Sequence, residues 1–206
     1  MTARRITLLL ALVLALGVQG VPARADADVE AFAKGVIDEG LAILRGDADA
    51  ASRHARFHAF ILPHIDGRRT GLFALGKYRR GAAAAALDAY VTAFTEYSTA
   101  MYETRLDNYK DATLTVTGSD ENRPGDFVVK TLANAKDLRE PVNISFRVLG
   151  AKGSYKIMDI QVEGIWLSIE LRDEFGAILG QNGGRIEKLT DLLIERTKRI
   201  REEDGG

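Results

Sequence analysis

Apolar residues recur at three- and four-residue intervals through Val29, Phe32, Val36, Gly40 or Leu41, and Leu44, the spacing of an amphipathic helix. Asp28 stands where a capping side chain is expected, and Gly46 closes the run. A second helix is predicted from about Asp49 to Leu62, with Phe57, Phe60 and Ile61 on one side and Pro63 as its stop. Asp66 reads as the cap of a short helix ending near Gly76. After Gly81 comes the longest segment, Ala82 to about Arg105. Its stripe is Leu87, Tyr90, Val91, Phe94, Tyr97 or Ser98, and Met101. At 1.5 Å per residue such a helix is roughly 36 Å long, enough to cross a small domain.

The period then changes to two. Ala112, Leu114 and Val116 alternate with Thr113, Thr115 and Thr117, and Phe127–Leu132, Val142–Leu149 and Tyr155–Val162 follow. Gly118, Pro124-Gly125, Asn134, Pro141 and Gly150 to Gly153 separate these runs as turns. Short turns between successive strands imply an antiparallel meander of about four strands. Glu163-Gly164 breaks the last strand. Helical spacing returns at Leu167, Leu171, Phe175, Ile178 and Leu179, pauses at Asn182-Gly183-Gly184, and resumes through Ile186, Leu189, Leu193 and Ile200. Segregated helices and strands predict an α+β domain, one antiparallel sheet with helices packed on one face.

The first 25 residues are set aside from this fold. Arg4 and Arg5 precede an apolar run, Ile6–Leu16, interrupted only by Thr7, and Ala23-Arg24-Ala25 offers small residues before Asp26. These are the parts of an export signal cleaved after Ala25, and the run is too short for a span of about 20 apolar residues. The expected product is a single exported domain, residues 26–206. Removing Arg4, Arg5 and Arg24 from the 28 basic residues leaves 25 against 29 acidic ones. That balance provides no general field for nucleic acid.

Composition narrows the chemistry further. The chain is 46% hydrophobic and holds no Cys, so disulfides, thiolate metal sites and cysteine nucleophiles are excluded. Neither a phosphate-cradling glycine loop nor a Gly-x-Ser-x-Gly elbow occurs. His54 and His58 stand one helical turn apart, but Arg53 and Arg56 flank them and no adjacent acid completes a metal-hydrolase motif, so no metal is expected. An enzymatic alternative, an isomerase or hydrolase in a cup of sheet and helices, rests on Asp159 and Glu163 near a strand end, with Arg172, Asp173 and Glu174 following. Ala82–Ala86 either admits a close helix neighbour or leaves space beside the sheet. Arg68, Arg69, Lys77, Arg79 and Arg80 form a basic cluster suited to a solvated face, to anionic headgroups or to an acidic partner.

Three stretches resemble one family. Leu62-Pro63-His64-Ile65-Asp66 with Leu75-Gly76-Lys77-Tyr78-Arg79 is similar to its P-x-x-D … L-G-x-W-R segment. Phe94 to Tyr109 resembles its long helix. Tyr155 to Leu167 resembles W-K-V-x-D-V-x-V-E-G-V-S-L, and Leu171-Arg172-Asp173-Glu174-Phe175 resembles Y-R-x-Q-F. The family is MlaC, the periplasmic phospholipid carriers also called toluene-tolerance proteins. Tyr78 and Tyr155 replace tryptophans, Leu171 replaces a tyrosine, and Trp166 stands where a small residue is usual, which points to a narrowed cavity.

The resemblance implies a nuclear-transport-factor-like (cystatin-like) fold enclosing an apolar cavity for acyl chains, with no catalytic residues and no cofactor. It implies shuttling of phospholipid between an outer-membrane lipoprotein–porin complex and an inner-membrane ABC transporter complex, hopanoid-type lipids being an alternative cargo. The lining expected on this basis is Leu72, Leu75, Phe94, Tyr97, Met101 and Phe175 from the helices. The sheet and the corner after it are expected to add Phe127, Val129, Phe146, Val148, Ile157 and Trp166. Arg68, Arg69, Lys77, Arg79 and Arg80 are the expected partner or headgroup contacts.

Overall fold

Asp26, not Asp28, starts the first helix: its carboxylate accepts from the amides of Asp28 at 2.9 Å and Val29 at 3.3 Å. The computed structural model describes residues 26–46, 48–107, 111–136 and 139–204. The export segment and its cleavage point lie outside them. Helix α1 is Ala27–Leu44. Helix α2, Ala50–Ile61, is capped by Asp49, which accepts from the Ser52 amide at 3.0 Å, and gives way at Pro63 to a single 3₁₀ turn. Asp66 caps α3, Gly67–Ala74. The longest helix, α4, is Ala84–Asp107. Ala83, Ala84 and Ala85 are exposed at its start, while Ala82 packs against the helical cluster.

The strands are β1 Thr113–Arg123, β2 Asp126–Asn134, β3 Val142–Leu149, β4 Lys156–Val162 and β5 Ile165–Trp166. They form an antiparallel meander in sequence order. The α+β reading holds, with five strands in place of about four. The extra one arises because Glu163-Gly164 is a hairpin turn, not a break. Both residues have positive φ, +47° and +86°, the backbone of a two-residue turn whose twist suits the flanking strands. Helices α5, Leu167–Gln181, and α6, Ile186–Asp204, complete the described chain.

Two apolar clusters result. In the first, Val29, Ala33, Val36 and Ile37 of α1 pack on Phe127, Val129, Phe146 and Val148 of the sheet. In the second, α3 to α6 pack on one another around Leu75, Tyr90, Phe94, Phe175, Leu189 and Leu193. The expectation of helices over one sheet face therefore describes α1 and α2, whereas α3 and α5 meet the sheet at β4. The second cluster is built on aromatic edges: Phe175 meets Phe94 and Tyr90 at about right angles, with centroids 6.3 and 6.4 Å apart. Tyr90 donates its hydroxyl to the Gly71 carbonyl at 3.1 Å, and burial pushes its ionisation up. A Cβ at Gly71 would lie 2.9 Å from the Phe94 ring, so glycine is what lets α3 and α4 touch there.

Turned away from α1, the sheet carries a charged pair. Asp126, 3% exposed, receives two bonds from Arg147, at 2.9 and 2.8 Å, and one from Arg123 at 3.0 Å. The Arg147 hydrogen bond holds the carboxyl below its usual value against the effect of burial. Its stabilisation is thus present above the ordinary carboxylate pKa and is lost as pH falls through the lowered one. Arg147→Ala leaves the buried carboxylate with Arg123 alone and is expected to cost about 2 kcal/mol at neutral pH. Urea titrations should show that gap closing below about pH 4; a gap independent of pH would exclude the ion pair as its cause.

Candidate functional site

Between α1, α2 and the sheet lies a cavity of about 660 Å³. That falls within the usual range of ligand pockets. Helix α1 provides Val36, Ile37 and Leu41, while α2 provides Phe57, Phe60 and Ile61. Gly40 lies between them: a Cβ there would be 3.5 Å from Phe60 and 3.9 Å from Phe57, so its bare backbone lets α2 settle close to α1. The floor is Leu114 of β1, Ile144 and Phe146 of β3, and Ile157, Ile160 and Val162 of β4. Nearly all of this wall is hydrocarbon, which binds without directional demands.

A bulge in β4 shapes the floor. Val148 pairs with Ile157 and Arg147 with Asp159, leaving Met158 as the extra residue. Ile157 and Ile160, three residues apart, consequently both face the cavity. Strict alternation would have turned one of them away. The mouth is formed by Glu163, Ile165, Leu167 and Glu170. Among the described lining residues, those two glutamates are the ionisable carboxylates. Glu163 also ties its hairpin to β3, accepting from the Asn143 amide at 2.5 Å. Ile165 and Ile169 are about half exposed beside the opening.

Of the lining expected from sequence, Phe146 and Ile157 stand in this wall. Leu72, Leu75, Phe94, Tyr97, Met101 and Phe175 do not; they fill the helical cluster, where the stripe of α6 covers them. Phe127, Val129 and Val148 are on the floor's face of the sheet but are sealed beneath α1. Trp166 is placed outside because the alternation of β5 sends its neighbours Ile165 and Leu167 inward, so it does not narrow the space. Sequence reasoning missed the α1 and α2 walls. The signal was present in a glycine set within the α1 stripe and an α2 stripe of three large apolar residues.

Asp159 is not a free base. It accepts from the Ser168 amide at 3.1 Å, from the Ser168 hydroxyl, and from the Ile160 amide at 2.9 Å. Trp166 gives α5 no side-chain cap, so Asp159 supplies one from the neighbouring strand. Burial raises its pKa against these bonds. A raised carboxyl favours the fold most below the ordinary value, and that favour is lost as pH rises through the raised one. Asp159→Asn should therefore leave neutral-pH stability within about 1 kcal/mol of wild type, while Asp159→Ala, which orphans the Ser168 amide, should cost about 1–2 kcal/mol in denaturant melts. Equal losses in both variants would contradict the capping role.

The basic cluster lies away from the cavity wall, and four of its members have local partners. Arg68 pairs with Asp88 at 2.8 Å and Arg69 with Asp66 at 3.5 Å. Lys77 sits 5.1 Å over the Tyr78 ring, and Arg79 donates to the Leu72 carbonyl at 3.4 Å. Arg80 is exposed. Arg172, from the Leu171–Phe175 stretch, stacks on Phe73 and lies beside Gly76, whose φ of +55° and lack of a Cβ make room for it. The histidines face carboxylates of α4, His54 toward Glu103 and His58 toward Glu96, each 2.7 Å apart. Among the described residues no group of three or more His, Asp or Glu side chains is placed to hold a metal, and no helix is long and apolar enough to cross a membrane.

Comparison with known proteins places this architecture. A phospholipid-binding protein from Ralstonia solanacearum, solved in complex with a phospholipid, superposes with a TM-score of 0.71 at 25% identity, covering 84% of this chain and 99% of its own. No curated protein sequence matches the chain. The family model described as MlaC protein matches residues 34–195, a span running from α1 through the sheet into α6. With that match across most of its length, the chain belongs to the MlaC protein family.

Proposed function

We propose that this protein is a phospholipid carrier that holds acyl chain in the cavity between α1, α2 and the sheet and moves lipid between the outer and inner membranes. The observation that carries the reading is the cavity: about 660 Å³ walled by Val36, Ile37, Phe57, Phe60, Ile144 and Ile160, with its charges confined to the mouth. Membership of the family and the phospholipid found in the Ralstonia relative point the same way. Carrying acyl chain through water costs about 0.8 kcal/mol per methylene left exposed, on the order of 20 kcal/mol for two chains. An apolar hollow offsets that cost while leaving headgroups at the mouth, where Glu163 and Glu170 stand.

The reading extends to location and partners. The carrier works in the periplasm, receives or delivers lipid at an outer-membrane lipoprotein–porin complex and at an inner-membrane ABC transporter complex, and performs no catalysis. Commitment of Asp159 to the start of α5 argues against the isomerase or hydrolase alternative. Arg80, exposed in the basic cluster, is offered as a docking contact rather than a lipid contact.

Protein purified from a bacterial host, extracted under denaturing conditions and analysed by lipid mass spectrometry, should yield glycerophospholipid in near-stoichiometric amount. Recovery of hopanoid in its place would reassign the cargo. Recovery of no lipid, together with failure to take up phospholipid from vesicles, would end the carrier reading.

A further inference from the structure

The backbone nitrogen of Asp26, at the start of α1, donates to the Ser119 hydroxyl of β1 at 3.0 Å. Ser119 in turn donates to the Glu30 carboxylate at 2.8 Å. Two atoms bonded to one oxygen stand within about 6 Å of each other, so the Asp26 nitrogen and the Glu30 carboxylate are in ion-pair range. Hydrolysis of the Ala25–Asp26 bond by a signal peptidase consumes one water and leaves a carboxylate on Ala25 and an ammonium on Asp26. We infer that this new ammonium is a structural cation, held by Ser119 and Glu30, that clamps the start of the cavity's wall helix to β1. The inference rests on cleavage after Ala25 and is independent of the cargo.

Strand β1 is shaped to present that hydroxyl. Val116 pairs with Thr131 and Gly118 with Lys130, so Thr117 is an extra residue and the alternation reverses there. Before the bulge, Leu114 and Val116 pack with the α1 cluster. Beyond it Ser119 faces α1 and is buried, while Asp120 points the other way and pairs with Lys130. An uninterrupted strand would turn Ser119 outward, away from α1.

The surrounding charges favour a cation. On α1 the acids are Asp26 itself, Asp28 and Glu30. Lys152, in the turn between β3 and β4, pairs with Asp28 at 2.8 Å. Tyr155 adds no charge, since burial and then Asp26 and Asp28 push its ionisation up. A helix start disfavours a cation, but here the Asp26 carboxylate already sits on the amides of Asp28 and Val29. A charged donor also bonds Ser119 more strongly than an amide does. At its far end α1 is tied by Arg45, which donates to the Ala112 carbonyl just before β1 at 2.8 Å. Cleavage thus completes a two-ended fixing of the helix that supplies Val36, Ile37 and Leu41 to the cavity.

Mass spectrometry of the exported protein reads its first residue, and any start other than Asp26 overturns the inference. In the mature chain the Asp26 amine is titrated by NMR through its Cα shift from about pH 6 to about pH 10, beside Glu30→Gln. The expected amine pKa lies above the ordinary range of about 7.7–8.0 by roughly half a unit or more, and Glu30→Gln returns it to that range. An ordinary value in wild type, or a raised value that Glu30→Gln leaves unchanged, overturns the clamp while leaving cleavage and the carrier reading intact.

Stability gives a second readout. A raised amine stabilises the fold fully below its ordinary value, and that contribution is lost as pH rises through the raised one. Urea titrations should therefore show the gap between wild type and Glu30→Gln narrowing from about pH 7 to about pH 10. Enzymatic Nα-acetylation of Asp26 keeps the N–H donor and removes the charge, so the gap should then stay constant with pH. A gap that is flat without acetylation, or that narrows equally with it, overturns the inference.

Discussion

Ile160→Trp together with Ile144→Trp empties the protein of lipid without unfolding it. Both isoleucines form part of the cavity floor, on adjacent strands where indoles project into free space and not into packed neighbours. Each added ring takes the room of two or three methylenes, so each removes about 2 kcal/mol of chain burial at 0.8 kcal/mol per methylene. The pair together should weaken phospholipid binding by roughly a thousandfold. Tryptophan in a void fills a gap without straining a core, so melting temperature should hold or rise. Lipid mass spectrometry on the purified double variant, beside a thermal melt, measures both. Full lipid occupancy in a folded variant would show that acyl chain lies elsewhere.

Phe175→Ala gives the opposite pattern. Phe175 is fully buried and touches Phe94 and Tyr90 edge to face, yet takes no part in the cavity wall. Truncation there leaves a hole in close-packed side chains and is expected to cost about 3–5 kcal/mol. For a domain of this size that lowers the melting temperature by roughly 6–20 °C. Lipid affinity per folded molecule should stay within about twofold of wild type. If affinity collapsed along with stability, the two apolar regions would not be independent, and the cavity's location would need revision.

The contrast explains what was legible in the sequence. The start of α2 near Asp49, the cap at Asp66, the strand Val142–Leu149 and the stripe of α6 followed from local chemistry, because each is decided by residues close together in the chain. The cavity wall was harder, since a hollow and a filled core use the same side chains. Phe94 and Met101 looked well placed because α4 is the longest helix, but α6 brings Leu189 and Leu193 onto that stripe and closes it. No local pattern reports that pairing. The bulge at Met158 was likewise invisible to a strict two-residue period, although polar Asp159 between Met158 and Ile160 breaks the alternation. Here the family resemblance was more informative than periodicity: Tyr155 to Leu167 contains Ile157, Ile160, Val162, Glu163, Ile165 and Leu167, a continuous border of the cavity from floor to mouth.

Separate apolar clusters also divide evolutionary risk. Substitutions on the sheet side can retune which tails are welcome while the helical bundle keeps the molecule alive, so cargo range can drift without a matching loss of durability. A library randomised at Val36, Leu114 and Ile144 should accordingly contain many well-expressed proteins with altered tail-length preference, whereas one randomised at Phe94, Leu189 and Leu193 should be dominated by chains that fail quality control.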